Sequence, residues 1–284
     1  MVRTLCCFGR FSPLALILIV VSGDLLRGNE LLSDSAFHEK LDQAWTATLQ
    51  PQLQDAIKRS EFPGAVLCIG RKSGKPWMQA VGNRQVLPHV VVNSTDTIYD
   101  LASLTKPLVT ATLILKLQEE EKLDIDQPVS KYLRDFAAQG KGHITLRQLL
   151  LHTSGLIADN ALSDYEAGND DAIGKLLALK PIRPAGECFV YSDVGYLVLG
   201  KVVEHVTGKT LDVAAREMLF EPLEMKHSMY NPTKALRELI APQDKRDERW
   251  IQGVVHDPRA AALGGVAGHA GVFPQSAIWP TMPR

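Results

Sequence analysis

The sequence predicts an α+β fold on three observations: a four-residue apolar period over Ser35 to Ser60, a hairpin pattern directly after it, and almost entirely helical signals beyond Asp100. In the first stretch Phe37, Leu41, Trp45, Leu49, Leu53 and Ile57 recur on one helical face, with a bend expected at Pro51. Gly64 to Gly70 is then a short apolar run of strand formers, Lys72-Ser73-Gly74-Lys75-Pro76 reads as a turn, and Trp77 to Val81 as the second strand. Further on, Leu108 to Leu123, Ile144 to Leu151 and Tyr196 to Val206 read as helices, the last closed by Gly208 as a C-cap. Two strands make an incomplete sheet, so more are needed than this pattern supplies.

Composition narrows the function classes. Among 284 residues, 31 basic side chains face 32 acidic ones, for a net charge of -1, with 45% hydrophobic and 22% charged residues. That balance excludes a disordered chain and a molecule-wide nucleic-acid surface. The length supports a core without disulfide help. At the N-terminus Arg3 and Arg10 precede the apolar run Leu14 to Val21, followed by Ser22 and Gly23, so residues 1–23 read as a secretory signal peptide. The run is shorter than the ~20 residues that span a bilayer, so membrane contact is expected only through this segment, with a secreted or periplasmic protein as the outcome. Cys6 and Cys7 precede the run, which leaves lipidation unsupported. Cys68 and Cys188 then remain, expected as two buried free thiols, with an oxidised pair as the alternative.

Ser103-Leu104-Thr105-Lys106 spells S-x-x-K, which on a helix puts hydroxyl and amine on one face, one turn apart. With 14 Ser and 16 Lys in the chain, about one such match arises by chance, so the context must carry the weight. Pro107 is tolerated only in a first helical turn, placing Ser103 near a helix N-terminus, where the dipole stabilises an oxyanion and favours a neutral Lys106 amine. The alternative is a capping serine beside a solvated lysine.

Four blocks in order decide between these. Tyr99-Asp100-Leu101-Ala102-Ser103-Leu104-Thr105-Lys106, Lys122-Leu123-Asp124-Ile125-Asp126-Gln127-Pro128-Val129, Leu149-Leu150-Leu151-His152-Thr153-Ser154-Gly155-Leu156 and Tyr191-Ser192-Asp193-Val194-Gly195-Tyr196 resemble the serine β-lactamase-related family. That family contains class C β-lactamases, D-alanyl-D-alanine carboxypeptidases and esterases, and the resemblance covers roughly residues 35 to 272. It implies a β-lactamase/transpeptidase-like fold, an antiparallel sheet flanked by helices with an all-helical subdomain about residues 99–235. It also implies a serine hydrolase acting through an acyl-enzyme on a β-lactam, D-alanyl peptide or ester. Ser103 matches the nucleophile, Lys106 its proton acceptor and Tyr191 a second general base.

Asp193 stands where the family has Asn and is a candidate substrate-binding residue; facing Lys106 it would favour the ammonium and push the base role to Tyr191. Capping the helix that follows is its other reading. The resemblance places His152-Thr153-Ser154-Gly155 in a structural turn, and the Gly264 to Gly271 stretch in a Gly-rich turn, not the family's third motif. His143, His152, His227, His256 and His269 show no metal-ligand spacing with Cys or acidic partners, so neither metal nor cofactor is expected. After Val272-Phe273 the resemblance stops: residues 274–284 read as a divergent tail, and the domain spanning 24–273 is expected to be incomplete, lacking its C-terminal strands and leaving the hairpin with an uncovered apolar face. The expected partner is a small-molecule or peptidoglycan-peptide substrate. Two alternatives are an inactive truncated relative that binds cell wall or a partner, and a non-enzymatic helical interaction protein.

Overall fold

The computed structural model describes residues 33–71, 74–225, 228–246 and 249–274. The signal-peptide reading of 1–23, Lys72 and Ser73 of the expected turn, His227 and the tail beyond Pro274 lie outside these residues. The chain divides into two units, one built from 33–99 with Glu238–Gln252, the other from Asp100–Arg237 with 253–274.

In the first unit the four-residue period becomes α1 (Asp34–Ala44), a π-helical turn at Trp45–Leu49 and α2 (Gln50–Lys58). Pro51 removes one N–H from a helical run that continues from Asp34 to Lys58, and the π-helical turn lies just upstream of it. β1 (Gly64–Ile69) pairs antiparallel with β2 (Trp77–Gln85), in a register that sets Gly64 opposite Gly82 and Ile69 opposite Trp77. The third strand, β3 (Val91–Val92), joins β2 across a register shift between Asn83 and Gln85. The expectation of an uncovered hairpin face is corrected. Ala65, Leu67 and Ile69 pack with Phe37, Leu41, Leu49, Leu53 and Ile57 of the helices, while Val66 on the opposite side meets Tyr99 and Ala241. A small hairpin of Asp244–Arg246 with Arg249–Ile251 completes this unit among the described residues.

The second unit is helical, as the signals beyond Asp100 predict. Its nucleophile segment departs from a plain helix: a 3-10 turn at Ala102–Leu104 leads into a π-helical stretch, Lys106–Ala111, and only then into α3 (Thr112–Glu119). α4 (Leu146–Leu150) begins at Thr145, whose hydroxyl accepts from the Gln148 amide while the Gln148 side chain accepts from the Thr145 amide. That reciprocal cap satisfies two orphan donors, so Thr145→Ala is expected to lower stability by about 1 kcal/mol in urea unfolding.

After α5 (Asn169–Leu177) comes α6 (Asp193–Thr207), which buries residues on every side, from Val194 to Leu199 and again at Val202 and Val203. A helix apolar all round must sit in the interior; α3, α4, α5 and α7 (Leu211–Ala215) pack against it. Gly208 ends it in the left-handed conformation at φ 66°, which spares an L side chain. β4 (Met229–Tyr230) pairs antiparallel with β5 (Val272–Phe273), and α8 (Pro258–Ala262) lies between them in sequence. Cys68 is half-buried and Cys188 exposed, both free, which corrects the expectation of two buried thiols. Burial pushes the Cys68 thiol up. Among the described residues no helix is long and apolar enough to cross a membrane.

Candidate active site

Ser103 is exposed at the 3-10 turn, while Lys106, three residues on, is only 2% exposed. Lys106 Nζ donates to Ser103 Oγ at 3.1 Å and to the His269 carbonyl at 3.3 Å, lies 2.6 Å from Asp193 Oδ1, and sits 4.7 Å over the Tyr191 ring. All four predicted site residues therefore meet around one ammonium. Asp193 Oδ1 touches the charge without the alignment of a hydrogen bond, so this contact is an ion pair. The N-cap of α6 is Ser192, whose hydroxyl accepts from the Gly195 amide at 3.0 Å. Asp193 is the residue after the cap, which removes the capping role and leaves it facing Lys106.

Tyr191 offers Lys106 the face of its ring. The ring also lies against His152 at 4.5 Å between centroids, tilted by 31°, and His152 in turn contacts Phe189 and Tyr196. His152 Nδ1 accepts from the Ser192 amide at 3.0 Å, which requires that nitrogen unprotonated. Burial, then the Lys106 charge, lower the ring below the usual histidine range against an opposing pull from Asp193, in keeping with that role. The structural turn expected at His152 thus also carries the platform under Tyr191.

The nucleophile segment is held along its length by the Gly-rich stretch and β5. The Leu101 amide donates to the Val272 carbonyl at 2.9 Å, the Val272 amide to Thr105 Oγ1 at 3.3 Å, and Thr110 Oγ1 to the Gly268 carbonyl at 2.7 Å. Immediately before Ser103, Ala102 has φ 49°, a left-handed conformation disfavoured for a residue with a Cβ. The Asp100 carboxylate accepts the Ala102 amide at 2.8 Å, holding the backbone in that shape.

Spacing alone predicts no acidic partner for the histidines, and the fold corrects this. His269 Nε2 donates to Asp257 Oδ1 at 2.8 Å, and Asp193, Asp257 and His269 each present an atom within 4.8 Å of the others. Such a trio could ligate a cation, but Asp193 is already matched by Lys106 and Asp257 by His269. Burial raises the Asp257 carboxyl, yet the hydrogen bond and charge of His269, the Ala260 amide and His256 outweigh it and hold the group at about 2. Nearby Asp159 is pushed the other way, first by burial and then by the Asp193 carboxylate, with Arg259 opposing. Asp257, His269 and His256 escaped the sequence reading because their partners are 12 or more residues away; only Asp257-Pro258, a helix-start signal, marked the place.

Residues 45–276 match the family model described as Beta-lactamase. The chain is 33% identical over 247 residues to an N-acetylmuramyl-L-alanine amidase of Bacillus subtilis (strain 168), a match covering 75% of this chain and 56% of that one. It is 32% identical over 251 residues to a protein of Escherichia coli O157:H7 provisionally named a D-alanyl-D-alanine carboxypeptidase, covering 75% and 57%. The chain thus spans a little over half the length of these relatives. Among solved structures, a class C β-lactamase superposes with a TM-score of 0.69 at 22% identity, over 86% of this chain and 64% of that one. The octameric penicillin-binding protein homologue from Pyrococcus abyssi gives 0.64 at 23%, over 81% and 54%. At these identities the structural likeness establishes a β-lactamase/transpeptidase-like fold.

Proposed function

We propose, since this chain belongs to the β-lactamase family, that it is a serine hydrolase transferring the acyl group of a β-lactam, D-alanyl peptide or ester to Ser103. The observation that carries the reading is the buried Lys106 amine 3.1 Å from an exposed Ser103 Oγ at the start of a helical segment. A hydroxyl is a weak nucleophile until a base in hydrogen-bond reach takes its proton. Ser103 Oγ bonds to the acyl carbon, its proton passes to the Lys106 amine or the Tyr191 phenolate, and the carbonyl electron pair moves onto oxygen. Collapse of that oxyanion restores the carbonyl and breaks the bond to the leaving nitrogen or oxygen, which takes up the proton. Water then attacks the acyl-enzyme in the same way and frees Ser103.

The apolar run at 14–21 supports export, and with it a substrate met outside the cytoplasm, such as a peptidoglycan peptide. Incubation with fluorescent penicillin, a fluorophosphonate, a D-alanyl-D-alanine peptide and a simple ester, followed by intact-mass measurement, tests the reading. A mass gain on Ser103 supports it; no adduct from any of the four overturns it. A second reading, a relative that binds such ligands without acylation, draws on the Lys106–Asp193 ion pair, in which the amine that would take the Ser103 proton is already engaged by a carboxylate.

Asp193→Asn separates these. Asn keeps the shape of the side chain but not its charge, so the ion pair on Lys106 Nζ is lost and the first-order acylation constant for fluorescent penicillin is expected to rise. The start of α6 is unaffected by the change, since Ser192 holds the cap. An unchanged constant would point to Tyr191 as the group that takes the proton.

A further inference from the structure

We propose that the adjacent residues His256 and Asp257 are positioning residues, a two-armed clip that fixes the nucleophile turn with one side chain and the catalytic lysine with the other. The first arm runs to Asp100. The His256 amide and its Nδ1 lie 3.0 and 3.1 Å from Asp100 Oδ2, while Asp100 Oδ1 accepts the Ala102 amide. Asp100 is buried, so the carboxylate that forces Ala102 to φ 49° in front of Ser103 is itself fixed from the other side by His256.

The second arm runs to Lys106. Asp257 Oδ1 accepts both the Ala260 amide at 2.8 Å, as the cap of α8, and His269 Nε2 at 2.8 Å. The His269 ring is 1% exposed, and its Nδ1 has no hydrogen-bond partner among the described residues. Asp257 is therefore the polar group that orients the ring. The backbone of the same residue supplies the carbonyl that Lys106 Nζ donates to. The Gly268 carbonyl on one side and Val272 on the other are bonded to Thr110 and Thr105. Anchoring the ring thus anchors the segment whose backbone groups bond to Thr105, Lys106 and Thr110. Neither His256 nor Asp257 hydrogen-bonds to Ser103 or Lys106 directly; they act through Asp100 and His269.

A merely structural cap makes a different forecast from a clip, and Asp257→Asn distinguishes them. Asn caps a helix about as well as Asp, so a cap predicts a silent change. The clip predicts a weaker hold on His269, because the acceptor loses its charge. Two readouts are needed because the role in acylation rests on the proposed function, whereas the anchoring does not. In the full chain, the first-order acylation constant for fluorescent penicillin is expected to fall about 10- to 100-fold with the binding constant unchanged, since misplacement acts on the step and not on binding. Amide exchange at Val272, which needs no substrate, is expected to rise about tenfold while the urea midpoint stays in place. Asp257→Ala should do both and also lower the midpoint. Wild-type exchange at Val272 in Asp257→Asn overturns the clip whatever happens to labelling. Faster exchange in the variant with no labelling even of the wild type would remove the acyl-transfer reading and leave the clip standing.

Discussion

Ser103→Ala is expected to abolish covalent labelling by penicillin and fluorophosphonate, with at least a 10⁴-fold loss of any hydrolysis the wild type shows. The residue is exposed and, among the described residues, its Oγ is held by a single contact from Lys106, so the truncation removes the nucleophile and little else. The urea midpoint should therefore remain near that of the wild type. Intact-mass measurement after incubation reads the result directly. Labelling that persists in the variant would place the reactive group elsewhere, and the Ser103 assignment would fall.

The largest effect on stability is expected from Gly268→Ala. A Cβ built there would stand 2.0 Å from the Tyr196 carbonyl oxygen and 3.1 Å from the Gly200 amide nitrogen. Both are backbone atoms of the central helix α6, so neither can swing aside as a side-chain tip would. One must move, and the cost is about 3 kcal/mol or more, at the upper end of overpacking penalties. Gly208→Ala is the matched control. It meets nothing within 4 Å and suffers only from its φ of 66°, for about 1 kcal/mol. Urea unfolding of the two variants should rank them in that order. A Gly268→Ala loss no greater than that of Gly208→Ala would mean that α6 and the Gly-rich stretch do not touch as described.

Local patterns were legible where their period or punctuation was local. The four-residue repeat from Phe37 to Ile57, the two strand runs starting at Gly64 and Trp77 and the Gly208 stop each belong to a local pattern, and each was found there. S-x-x-K was readable because three residues of helix bring Ser103 to Lys106. The distortion at Lys106–Ala111 was not, since a π-helical turn leaves no periodic trace in so short a stretch. Nor were His256, Asp257 and His269 readable as parts of the site. Their partners come from Asp100 and from across the Gly-rich turn, and such pairings follow from tertiary packing alone. Asp193 lay between these cases: the sequence supplied two roles for it, and only the position of Ser192 one residue earlier removed the cap.

The π-helical stretch bears on chain length as well as on chemistry. A turn closed from i to i+5 holds one residue more than an α-helical turn. Losing one residue between Pro107 and Ala111 would let the stretch close from i to i+4, with the helix beyond it kept nearly in phase with Lys106. The buried face of α3 that begins at Leu113 would then stay inward, and the change would be confined to the turn itself, where Thr110 reaches the Gly268 carbonyl. The same loss within α3, where no wide turn absorbs it, would rotate everything after it by about 100° and carry the apolar face outward. The wide turn is thus the place where this segment can shorten by a residue while Ser103 and Lys106 keep their relation to the interior helix.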